Sequence, residues 1–168
     1  MKKIALVTDS TADLTEEMRK ECNAHIIPLT IRFEDQEYLD GEITSEEFYR
    51  RLAEEKVLPK TSQPSPEDFV NLYQRLLKDY YEVISIHLST GLSGTINAAH
   101  LAKEKIKGRI HVVDSKTISL GVGLMVMDTA KSIKEGLNSS QILERLSTVR
   151  KNIETLFTLN TLEYLQKG

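Results

Sequence analysis

The stretch Val83-Ile84-Ser85-Ile86-His87-Leu88-Ser89-Thr90-Gly91-Leu92-Ser93-Gly94-Thr95 carries a short apolar run straight into a glycine- and hydroxyl-rich turn. A helical pattern follows over residues 93–107. An apolar run of this length, closed by polar residues and then a helix, is the repeating unit of a parallel α/β sheet, whose strands are buried on both faces. The same rhythm recurs at residues 4–7 and 110–113. The expected fold is therefore α/β, a mainly parallel sheet with helices on both faces in a Rossmann-like three-layer lobe.

Outward from these strands, residues 26–33 form a fourth apolar run that contains Pro28. Proline has no amide proton to give a ladder, so this strand is expected at an edge or beginning at the proline. Glu34-Asp35-Gln36-Glu37 is a polar turn and Tyr38-Leu39 a short returning arm; residues 155–159 read as a late strand. Thr44 and Glu47 stand in capping-box positions, with Phe48 and Leu52 on the helical face that follows. Ser65-Pro66-Glu67-Asp68 places a capping serine, a proline at the first helical position and acids in the first turn. Residues 117–135 and 140–153 complete the helices, and Cys22 falls on a helical stripe with Leu14 and Met18, as a core residue would.

Composition narrows the function. The 168 residues suggest one domain, with 40% hydrophobic and 28% charged residues, as in ordinary globular proteins. Twenty-two basic residues are interleaved with 25 acidic ones, for a net charge of −3, which offers no phosphate-tracking surface and argues against nucleic acid as a partner. A single cysteine fits a reducing compartment. The opening apolar run is too short for a secretory signal, and no stretch approaches the ~20 apolar residues of a membrane span. The expectation is a soluble, cytoplasmic protein.

The chemistry-bearing residues sit in loops. The Ser89–Thr95 segment, Ser89-Thr90-Gly91-Leu92-Ser93-Gly94-Thr95, follows a strand and opens a helix, where free amides and the helix dipole can hold an anion. It can equally be a plain serine cap. Three further loops are hydroxyl-rich: Thr8-Asp9-Ser10-Thr11-Ala12-Asp13, Lys60-Thr61-Ser62-Gln63-Pro64-Ser65-Pro66, and Asp114-Ser115-Lys116-Thr117-Ile118-Ser119-Leu120-Gly121-Val122-Gly123. Each alone is ordinary capping chemistry, but together they would gather at one edge of a parallel sheet, where ligands bind. Gly91-Leu92-Ser93-Gly94-Thr95 falls one glycine short of a nucleophile elbow, and only His100 and His111 follow it as candidate bases. His25, His87, His100 and His111 are scattered, with no CxxC or HExxH, so no metal site is expected. An enzyme lobe holding a phosphate or acyl group at the Ser93 loop is the alternative to a binding protein; a regulatory module whose loops are only caps is a third reading.

Taken together, Val7–Leu14, the Pro28 strand with Tyr38-Leu39-Asp40-Gly41, Thr61–Pro66, Ser89–Thr95, Val113-Asp114-Ser115 and Thr161–Gly168 resemble the DegV family of bacterial lipid-binding proteins in order and spacing. The resemblance implies a two-lobed, non-catalytic protein that holds a long-chain fatty acid between its lobes and uses no cofactor. It further implies that Thr61 and Ser93 hydrogen-bond the carboxylate, with Ser62, Gly94 and Thr95 as neighbours. It also implies a fatty-acid kinase partner that uses ATP to make an acyl phosphate for phospholipid synthesis. On this reading residues 1–168 are the N-terminal lobe, and a second lobe is expected after Gly168.

Overall fold

A computed structural model describes residues 3–55 and 57–159. Its chain runs β1 (Ile4–Asp9), a single 3-10 turn (Ser10–Ala12), α1 (Glu16–Cys22), β2 (Ala24–Ile27), β3 (Thr30–Arg32), β4 (Glu37–Leu39), α2 (Ser45–Glu54) and β5 (Lys60–Ser62). It continues α3 (Pro66–Leu76), β6 (Glu82–His87), α4 (Thr95–Glu104), β7 (Arg109–Asp114), α5 (Leu120–Lys134) and α6 (Ser139–Asn152). The main sheet has the order β2-β1-β6-β7, with every pairing parallel. Its central strands β1 and β6 are buried along their whole length, as a strand covered on both faces must be.

Alternation along β1 builds two cores. Ile4 and Leu6 join Ile84, Ile86, Val122, Met125, Ile142 and Leu146 on the α5/α6 side. Ala5 and Val7 join Phe69, Tyr73, Leu76, Val83, Ala99 and Ile110 on the α3/α4 side. Cys22 is half-buried against the first of these cores, as the helical stripe anticipated. The three-layer α/β lobe is thus the observed fold. Among the described residues, no helix is long and apolar enough to cross a membrane.

Pro28 acts differently from a strand start. β2 stops at Ile27 as the edge of the parallel sheet, and the chain then enters a separate antiparallel sheet of order β4-β3-β5. The third strand there, β5, falls in a segment read from sequence as loop. A buried cation backs this small sheet: the Arg51 guanidinium lies 4.0 Å above the Phe33 ring, donates to Tyr38 Oη at 3.0 Å and pairs with Glu55 and Asp35. The late strand expected at 155–159 does not form. Leu156 and Phe157 are 90% and 70% exposed, and among the described residues no strand pairs with this segment. Without a neighbouring ladder, an apolar run has no reason to extend as a strand.

α5 packs closely on the turn that follows β1. A Cβ at Gly123 would stand 2.7 Å from the Ala12 carbonyl oxygen, a backbone atom that cannot swing away. Alanine ordinarily stabilises a helix interior by about 1 kcal/mol over glycine. Here overpacking reverses the sign, and Gly123→Ala is expected to lower unfolding free energy by roughly 1–3 kcal/mol in urea titration. A stabilised variant would contradict this contact.

Candidate functional site

At the carboxyl edge of the parallel sheet, one carboxylate ties two loops together. Asp9 is the last residue of β1. Its Oδ1 accepts from the Thr11 N–H at 3.1 Å and the Thr11 hydroxyl at 2.5 Å, fixing the turn after β1. Its Oδ2 accepts from His87 Nδ1 at 2.9 Å and from the Leu88 N–H at 3.1 Å, fixing the exit of β6. From that exit the Ser89 N–H donates to the Thr117 carbonyl at 2.9 Å, and Thr90 donates to Asp114 at 2.8 Å, joining the loop after β7. The Ser10 hydroxyl accepts from the Leu29 N–H at 3.1 Å, and the Ser119 hydroxyl donates to Asp13 at 2.5 Å. Three of the four hydroxyl-rich loops therefore interlock at one edge, as their positions after strands predict.

Behind Asp9 runs a buried chain that the sequence did not reveal. Tyr73 Oη lies 2.8 Å from Ser85 Oγ, which lies 2.6 Å from His87 Nε2, and all four residues of the chain are 0% exposed. The ionised carboxylate can only accept, so Nδ1 donates to Asp9; in the neutral imidazole Nε2 then accepts from Ser85, which accepts in turn from Tyr73. The Phe69 ring meets His87 edge-on at 5.1 Å. The order Ser–His–Asp is that of an acyl-transfer triad. Here, however, the serine hydroxyl is capped by Tyr73 and sealed from solvent, so no substrate carbonyl can reach it. Its role is positional. His87 is 78 residues from Asp9 in sequence, which explains why a reading along the chain saw only scattered histidines.

The Ser93 loop sits just beyond. Ser93 Oγ accepts from the Thr95 N–H at 3.3 Å and lies 2.9 Å from Thr95 Oγ1. Among the described residues no histidine bonds it, so the base that a nucleophile elbow needs is not supplied. His100 lies exposed on α4, and His111 bonds Glu82 at 3.1 Å. The helix expected from Ser93 begins instead at Thr95, because Gly94 takes the N-cap position. α1, α2, α3 and α6 are each capped by a side chain, from Thr15, Thr44, Ser65 and Asn138. α4 and α5, which both open at the carboxyl edge, have no side-chain cap.

Thr61 and Ser62 lie exposed on β5, Ser93 and Gly94 are half-buried, and Thr95 is fully buried. The two loops meet through Gln63, whose carboxamide occupies the space that a Cβ on Gly94 would take. A cleft of about 620 Å³ follows the start of α5, reaching Thr11 and Asp13 after β1, with Ile118, Leu120, Leu124, Leu156 and Phe157 on its walls. Met125, on the same helix, is fully buried core, whereas Leu124 is exposed. Backbone strain concentrates here too: Asp13, Lys116 and Ser119 all hold positive φ, at 49°, 60° and 57°. Thr161–Gly168 lie outside the described residues.

Burial pushes the Asp9 carboxyl up, but the bonds from His87, Thr11 and the Leu88 amide outweigh it and hold the group below its ordinary value of 3.8. A carboxyl group depressed by folding contributes stability that is fully present above the ordinary value and lost as pH falls through the folded one. Asp9→Asn is expected to cost roughly 3 kcal/mol at neutral pH and to flatten the acid-side loss in urea unfolding down to about pH 2. A variant as stable as its parent at neutral pH would contradict the tie.

The DegV family model, described as an uncharacterised protein of the DegV family, matches residues 3–168. The chain is 41% identical over 169 residues to a DegV domain-containing protein of Staphylococcus aureus (strain MRSA252), covering 100% of this chain and 60% of the relative. A solved DegV family protein from Thermus thermophilus, described by its fatty-acid binding, superposes with a TM-score of 0.90 at 38% identity, covering 100% of this chain and 60% of that one. DegV from Bacillus subtilis, described as a fatty acid binding protein, does so with a TM-score of 0.85 at 37% identity over 90% of this chain and 55% of that one. The chain spans about 60% of the length of the curated relatives it matches. With a family match across the parallel sheet, the loops at its carboxyl edge and the small antiparallel sheet, this chain belongs to the DegV family.

Proposed function

We propose that this chain is the part of a non-catalytic fatty-acid-binding protein that grips the lipid carboxylate. Thr61 and Ser93 donate to that carboxylate, Ser62 and Gly94 border it, and the acyl chain lies against apolar walls shared with a second lobe. What carries the reading is the opening of α4: a helix N-terminus with no side-chain cap, rimmed by the Ser93 hydroxyl and abutted by the Gln63 loop. Such amides and hydroxyls hold a carboxylate without a cation or cofactor. The cleft at the start of α5 supplies apolar surface, and each buried CH₂ adds roughly 0.8 kcal/mol. The solved relatives described as fatty-acid binding support the same ligand.

In the cytoplasm, the protein presents the bound carboxylate to a separate fatty-acid kinase, whose acyl phosphate feeds phospholipid synthesis. The exposure of Thr61 and Ser62 at the head-group end is consistent with such a transfer.

Mass spectrometry of the denatured full-length protein is expected to release a long-chain fatty acid. Ser93→Ala is expected to weaken palmitate binding roughly tenfold, as loss of one hydrogen bond to a charged group does. Protein that carries no lipid and refuses palmitate and oleate, but turns over an ester or phosphoester, would replace this reading with the enzyme one. Gly94→Ala separates site from fold. The displaced Gln63 amide is the end of an exposed side chain, so unfolding free energy is expected to change by less than about 1 kcal/mol. Palmitate affinity is expected to fall all the same, and an unchanged affinity would remove this junction from the site.

A further inference from the structure

We propose that Thr95, which is fully buried and cannot itself touch a ligand, sets the direction of the Ser93 hydroxyl and thereby makes the loop a donor to an anion. The proposal rests on the placing of Ser93 at the carboxylate given above. Ser93 Oγ has a single proton to donate. Among the described residues its two hydrogen bonds both involve Thr95: the N–H at 3.3 Å, which can only donate to it, and Oγ1 at 2.9 Å, where either hydroxyl can be the donor. If Ser93 donates to Thr95, its proton is used up and its oxygen faces an oxygen of the ligand. A carboxylate, which only accepts, is then repelled.

If Thr95 donates, the Ser93 oxygen accepts two bonds and its proton is left for the ligand. Thr95 is 0% exposed, and Ser93 Oγ is the only hydrogen-bond partner of its hydroxyl among the described residues. A ligand that accepts from Ser93 therefore locks the pair in the second arrangement, and the chain Thr95 → Ser93 → carboxylate runs in one direction. Hydrogen bonds aligned in this way polarise one another. Thr95 is thus a positioning residue, and its hydroxyl contributes to binding only while Ser93 carries one.

A double-mutant cycle on palmitate binding to the full-length protein tests this. Thr95→Val keeps the shape and the backbone N–H but removes the hydroxyl. Ser93→Ala and Thr95→Val are each expected to weaken binding roughly tenfold, and the double variant by about the same factor, not by the product. Thr95→Ser is expected to restore near-parental affinity, which a merely structural loss of the threonine would not allow.

Parental affinity for Thr95→Val, additive losses in the double variant, or failure of Thr95→Ser to rescue would each overturn the proposal. Should Thr95→Val not fold, Thr95→Ala takes its place in the cycle. If neither folds, Thr95 is a folding residue and the proposal falls. Parental affinity for Ser93→Ala, or no palmitate binding by the unaltered protein, would overturn the placing of Ser93 itself and the proposal with it.

Discussion

A single buried carboxylate holds the working edge of this molecule together. Asp9 stands where β1 ends, with one oxygen given to the turn that follows and the other to His87 and the Leu88 amide at the end of β6. Parallel strands release their chains at the same edge, so the loops that leave them need something to set their spacing. Between β1 and β6 the main-chain register ends at Thr8 and Ile86; beyond it the Asp9 tie takes over. Its desolvation is offset by fixed donors on both sides, and the His87–Ser85–Tyr73 chain carries the hydrogen bonding on into α3.

From that tie the site follows by geometry. The β6 exit carries the Ser93 loop, the segment that follows β5 brings Gln63 up beside it, and glycine at 94 lets the two approach. α1, α2, α3 and α6 close their own amino ends with the N-cap side chain, whereas α4 and α5, which open at the carboxyl edge, do not. On the proposed reading, the lipid head group meets these amides and hydroxyls, which match it in charge and in hydrogen-bonding sense, and the acyl chain meets the apolar start of α5.

The central strands could be read from sequence because burial on both faces writes them as unbroken apolar runs. Helix starts capped by Thr44 and Ser65 were legible for a local reason, since cap and capped amide lie within three residues. Pro28 marked a real boundary, but only the tertiary structure shows that the chain changes sheets there. β5 was hidden because Lys60, Thr61 and Ser62 are all exposed and carry no apolar alternation; only its pairing with β3 makes it a strand. Residues 155–159 misled in the opposite sense, being apolar without a ladder to join. The Asp9–His87 tie could not be found along the chain at all, because its members are brought together by the packing of β1 against β6.

The most direct test of a head group held at this edge is a ¹⁵N–¹H spectrum of the full-length protein titrated with palmitate. The amides of Ser62, Gln63, Ser93, Gly94 and Thr95 are expected to shift together and saturate at one common concentration. Shifts confined to the opposite edge of the sheet, around Glu82 and Asn138, with the Ser93 and Gln63 amides unmoved, would contradict it.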